Sequence, residues 1–183
     1  SPMYQAVTYQ KGSLILHALR SIMGEKAFFA ALKEYARRYS YQRPSVEDFR
    51  AVCEEYYRPE ESSPGYPTEE GQSPSLQWFF EEWLDRPGFP ILRIDSVDLS
   101  PAGAKYDAEI TILQDEYVYH LPLDVEISGA TDSLIRRVWI LQPDLILDEQ
   151  DLPWLPKEIV IDPEMWILKD PRSTYTRWIL GKG

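Results

Sequence analysis

Apolar positions along the chain follow two different periods. From Tyr4 to Met23, the residues Thr8, Gly12, Ile15, Leu16, Leu19, Ile22 and Met23 recur close to every 3.6 positions, which predicts a helix stopped by Gly24. Glu25 and Lys26 open a second helix, whose stripe is Phe28, Leu32, Tyr35, Ala36 and Tyr39. Pro44-Ser45-Val46-Glu47-Asp48 reads as a third helix start, with Ser45 as cap and Asp48 at the capping-box position. Phe49, Val52, Cys53 and Tyr56 carry that helix on. From Arg58 to Pro74 the chain holds four prolines, two glycines and four glutamates, the composition of a solvated loop. Leu76, Phe79, Phe80, Trp83 and Leu84 then make the apolar face of a fourth helix, ending at Arg86-Pro87-Gly88.

After Phe89 the period becomes 2. Tyr106, Ala108, Ile110 and Ile112 alternate with Lys105, Asp107, Glu109 and Thr111; Leu121, Leu123, Val125 and Ile127 alternate with His120, Asp124 and Glu126. Further strands are expected at Ile91–Val97, Leu134–Leu141, Leu145–Leu147, Ile159–Ile161 and Met165–Lys169. About seven short strands predict a small antiparallel sandwich. The expected organisation is α+β: a helical part over residues 1–88, a β-sandwich over 89–172 and a tail over 173–183. The tail, with Tyr175, Trp178, Ile179 and Leu180, suits a short docked helix or the start of a further element.

Charge sharpens this division. The 183 residues carry 30 acidic and 19 basic side chains, a formal net charge of -11. Residues 1–88 hold 13 acids and 10 bases, residues 89–183 hold 17 and 9, so the strand half is the more acidic. Its acids occupy the polar phase of the alternation, the solvated face of half-buried strands. A field of this sign argues against a phosphate-backbone binder, which needs clustered Lys and Arg. No apolar run reaches the roughly 18 residues of a membrane span.

Candidate chemistry is sparse. The single cysteine, Cys53, rules out an internal disulfide and reads as a small core residue. His17 and His120 are far apart, and His17 has no second histidine one turn away. Neither a dinucleotide glycine motif, a phosphate loop, a G-x-S-x-G elbow nor H-E-x-x-H is present. Tyr9 and Gly12 sit three apart at the start of the first helix, and a glycine there costs about 1 kcal/mol relative to alanine. That cost is tolerated where something approaches the backbone closely. On period alone Tyr9 reads as a core or rim aromatic.

Tyr9-Gln10-Lys11-Gly12, the apolar run Leu14–Leu19 with His17 and Arg20, and Met23-Gly24-Glu25-Lys26-Ala27-Phe28-Phe29 together resemble the aminopeptidase N-type zinc metallopeptidases, just after their zinc site. The similarity continues through Val46–Phe49, Leu76-x-Trp78-Phe79-x-x-Trp83-Leu84, Pro87-Gly88-Phe89-Pro90 and Asp162-Pro163 with Trp166-Ile167-Leu168. It implies that the helices are the C-terminal lobe of a thermolysin-like catalytic domain, followed by that family's sandwich. It implies that Tyr9 is the catalytic phenol, donating to the carbonyl oxygen as the peptide is attacked. It also implies that H-E-x-x-H, a later glutamate and the amine-recognition motif lie upstream of Ser1. The chain is then expected to be the C-terminal segment of an enzyme whose cofactor is zinc, with no metal ligands or cofactor of its own and no activity alone. Its expected partners are a peptide substrate and the N-terminal and catalytic parts it lacks. Two alternatives from other classes are a non-catalytic scaffold of peptidase-like fold and a protein-binding sandwich anchored by Trp139, Trp154 or Trp178.

Overall fold

The computed structural model describes residues 11–62, 75–86, 88–167, 169, 172–173 and 176–181, and the chain divides into two units, Ser1–Pro87 and Gly88–Gly183. In the first unit, helix α1 (Gly12–Met23) turns the 3.6 period into a buried stripe of Ile15, Ala18, Leu19, Ile22 and Met23. Gly24, at φ 76°, breaks it and lets α2 (Glu25–Arg38) begin at once, because a left-handed residue ends a helix without a Cβ clash. Helix α3 (Val46–Tyr56) starts on the capping box read from the sequence. The Asp48 N–H donates to Ser45 Oγ at 3.1 Å, and the Ser45 N–H donates to the Asp48 carboxylate at 2.8 Å.

Two details of this unit depart from expectation. The segment expected as loop from Arg58 begins with a helical turn, α4 (Pro59–Ser62), since proline is favourable in a helix's first turn and Glu60 and Glu61 suit its positive end. Residues 63–74 lie outside the described residues. The last helix, α5 (Gln77–Phe80), widens into a π-helical turn over Glu81–Asp85, closed by the Arg86 N–H donating to the Glu81 carbonyl. Glu54 of α3 holds its start, accepting the Leu76 N–H at 2.8 Å and the Ser75 hydroxyl at 3.1 Å. Phe79, Leu76, Val52 and Cys53 are each 1% exposed or less, so α3 and α5 share one core.

The second unit has seven strands among the described residues: β1 (Ile91–Ala102), β2 (Lys105–Asp115), β3 (Leu121–Ser128), β4 (Ser133–Ile140), β5 (Asp144–Leu152), β6 (Glu158–Ile161) and β7 (Arg177–Ile179). They form two antiparallel sheets, ordered β1-β2-β5 and β4-β3-β6-β7. The period-2 pattern is realised as inward rows: Ile94, Ile110 and Ile112 from one sheet, Leu123, Val125 and Ile127 from the other, all nearly inaccessible. Besides Asp162, Gln114 is the buried polar exception among the described residues of this unit. Its amide donates to the Tyr119 carbonyl and accepts the Tyr119 N–H, so the loop after β2 is fastened to the strand it leaves.

Among the described residues of the segment Met165–Lys169, no strand forms where one was expected. Asp162, with φ 53°, takes the backbone N–H of Trp166 (2.7 Å) and of Ile167 (3.3 Å) on its buried carboxylate and pairs with Lys169. Those N–H groups are thereby unavailable to a sheet ladder. The seventh strand comes from the tail, where Arg177–Ile179 pairs with β6 as a strand, not a helix.

Candidate functional site

Tyr9, the one catalytic residue expected from the sequence, lies outside the described residues. What the structure describes is the ground beside it. Lys11 already has helical dihedrals (φ -60°, ψ -47°), so Gly12 sits within a helical path. A Cβ added at Gly12 would meet nothing within 4 Å, so the packing of the described residues does not itself demand glycine here.

That open space belongs to a groove of about 630 Å³ between α1, α2, the start of α3 and the α5 segment with its π-helical turn. Its floor includes Ile15, Leu19 and Phe79, all 4% exposed or less. Its rim is apolar as well: Leu16 and Leu84 are 40% exposed and Val46 is 49% exposed. Tyr35 lines it, and burial, reinforced by the charge of Asp48, raises its phenol above the ordinary 10. Val46, Phe80 and Leu84 also border a second recess of about 400 Å³, in which Glu47, Glu81 and Asp85 outnumber Arg50. The groove is thus apolar along its length and acidic where it runs into that recess.

The other candidate groups are set apart. Cys53 is wholly buried, and burial with the Glu54 charge nearby pushes its thiol up to about 12, which leaves it protonated and unreactive at neutral pH. His17 is on α1, half-buried, and His120 belongs to the other unit. Among the described residues no three His, Cys, Asp or Glu side chains converge into a set able to hold a metal ion. The described residues therefore do not fit the zinc that the resemblance implies, and no catalytic step runs through a metal on them. No described helix is long and apolar enough to cross a membrane. Of the tryptophans considered as anchors, Trp139 is only 8% exposed, and Trp154 and Trp178 are half-buried.

The groove was not singled out in the sequence, although a signal for it exists. Leu14 and Leu16 extend the apolar surface of α1 beyond its buried stripe, and among its twelve residues only Arg20 is formally charged at neutral pH. A helix apolar around most of its circumference is one that expects cover on more than one side.

The chain is similar to known peptidases. Residues 1–83 match the Peptidase family M1 domain. Aminopeptidase N of Haemonchus contortus is 26% identical over 120 residues, covering 64% of this chain and 12% of that protein. Aminopeptidase N of Lactococcus lactis is 26% identical over 130 residues, covering 70% and 14%. Endoplasmic reticulum aminopeptidase 2 of Bos taurus is 21% identical over 174 residues, covering 84% and 18%. The chain thus spans less than a fifth of the length of each of these relatives. The crystal structure of Legionella pneumophila aminopeptidase A in complex with aspartic acid superposes with a TM-score of 0.63 at 15% identity, over 85% of this chain and 16% of that one, which shows a shared fold. This α+β chain is a peptidase-like fragment whose residues 1–83 match the Peptidase family M1 domain.

Proposed function

We propose that the chain is the C-terminal end of the catalytic domain of a larger zinc-dependent aminopeptidase, about residues 1–88, followed by a β-sandwich that supports it. The observation that carries this reading is the M1 match over residues 1–83, which includes Tyr9-Gln10-Lys11-Gly12. In this reading zinc, held by ligands encoded ahead of Ser1, would supply Lewis-acid chemistry and an activated water. Tyr9 contributes a neutral phenol, whose pKa near 10 keeps its proton at pH 7. That proton is offered to the carbonyl oxygen of the peptide as negative charge develops there. A hydrogen bond that strengthens in the transition state lowers the barrier, whereas equal binding of substrate and transition state does not. The peptide substrate and the remainder of the enzyme are the partners of this reading, and the chain alone is inactive.

The test is Tyr9→Phe in the full-length protein. Loss of a single oxyanion donor is expected to lower kcat by about 10²–10³ with little change in KM. An unchanged kcat overturns the role of Tyr9. Turnover of an aminoacyl anilide by the 183-residue chain with added zinc overturns its inactivity. The absence of H-E-x-x-H from the reading frame ahead of Ser1 overturns the enzyme reading altogether.

A further inference from the structure

We infer that the groove bordered by Leu16, Val46 and Leu84 is the seat of an amphipathic helix bearing basic residues at one end, contributed by the rest of the same polypeptide. This rests on the reading above that the chain is part of a larger peptidase. Three observations converge on that occupant. Leu16, Val46 and Leu84, contributed by three different helices, are 40–49% exposed around one groove, a concentration of accessible apolar side chains unlike singly scattered surface hydrophobes. The groove's volume, about 630 Å³, is within the range of sites that enclose a ligand or a row of side chains. The empty space above Gly12 lets an incoming backbone approach α1 without meeting a Cβ, as close helix–helix contacts require.

Charge fixes the polarity of the occupant. Where the groove opens into its neighbouring recess, the charged groups among the described residues are Glu47, Glu81, Asp85 and Arg50, an acidic excess. A helix laying its apolar face in the groove would place its end over that acid, where lysine or arginine is attracted and glutamate repelled. The source is the same polypeptide because residues 1–83 match the M1 domain while the chain spans only 12–18% of the lengths of the three relatives compared above.

The probe is a designed peptide of roughly 14 residues with leucines at helical spacing on one face and three lysines at one end, paired with a copy carrying three glutamates instead. Anisotropy of the labelled peptides is titrated with the 183-residue chain. The lysine peptide is expected to bind about tenfold tighter than the glutamate one, with the difference shrinking in high salt. Leu16→Glu is expected to abolish binding of both. The double change Glu81→Lys with Asp85→Lys is expected to reverse the preference, and it reads the site even if Leu16→Glu misfolds. No binding, or equal affinity of the two peptides, overturns the inference while leaving the M1 reading intact. In the full-length protein the lysine peptide is expected not to bind, because its seat is filled. Binding there as tight as to the chain alone overturns the assignment to the same polypeptide.

Discussion

Arg136 of β4 and Glu149 of β5, which belong to different sheets of the sandwich, are joined by a bidentate pair, with Nε donating at 2.6 Å. Arg136 lies opposite Val125 and Glu149 opposite Ala108, so both side chains point toward the core side of edge strands. The pair closes the gap between two edges, and an inward charge makes each edge a poor template for another chain. The Arg136 guanidinium is raised above its ordinary value chiefly by this hydrogen bond, and the Glu149 side chain is only 11% exposed.

Removing one partner leaves the other half-desolvated. Arg136→Met is expected to cost about 1–2 kcal/mol in urea melts, between the values for exposed and buried pairs. It is also expected to promote self-association on sedimentation. A variant as stable and monomeric as the wild type would show that the pair is ornamental.

Acid should loosen α2 from α3. Glu34 accepts from Arg37 and Arg38, and Arg38 reaches across to Glu55 with two bonds of 2.6 Å. Hydrogen bonds to Arg37 and Arg38 lower the Glu34 carboxyl from 4.5 to about 2, and Arg38 lowers Glu55 in the same direction. A depressed carboxylate stabilises the fold above its unfolded pKa, and that contribution fades as pH falls from about 4.5 toward 2. Thermal melts between pH 5 and pH 2, round values bracketing that window, are expected to show a steeper fall for wild type than for Glu34→Gln. Parallel curves would remove Glu34 from the account.

Gly129 is required by a neighbour. A Cβ there would lie 2.3 Å from Trp154 Cδ1, far inside contact distance. Gly129→Ala is expected to destabilise by about 1–3 kcal/mol, the range for overpacking, and to change the tryptophan emission. Combined with Trp154→Ala, its cost is expected to fall sharply, since the two side chains compete for one space.

Cys53 is expected to resist a thiol reagent at pH 8 in the native chain and to react promptly in denaturant. Its burial and its elevated pKa, about 12, act in the same direction. Fast native labelling would mean that α3 opens far more readily than its buried contacts imply.

Local signals carried the fold where each residue type had one dominant role. Gly24 stopped a helix, Ser45 and Asp48 started one, and the alternation in β2 and β3 set which side chains face inward. Expectation failed where a side chain intercepted the backbone or a partner lay far away in sequence. Asp162 captured the N–H groups of the segment expected as a strand, while Arg177–Ile179 became one only by finding β6. The candidate site divides likewise. Tyr9 was reached through a resemblance of motifs, not through periodicity. The groove depends on side chains from positions 12 to 84 meeting in space, which no local pattern encodes.

The pairing of β7 with β6 bears on where this unit can be cut. Glu158, Ile159 and Val160 are partnered by Ile179, Trp178 and Arg177, and the Leu180 N–H reaches back to the Lys157 carbonyl. A version ending at residue 172, where the tail was expected to start, would strip that ladder and bare a row of β6 backbone groups beside Ile159. The stretch expected as a docked helix or the start of a further element is therefore the hem that keeps the second sheet from unravelling.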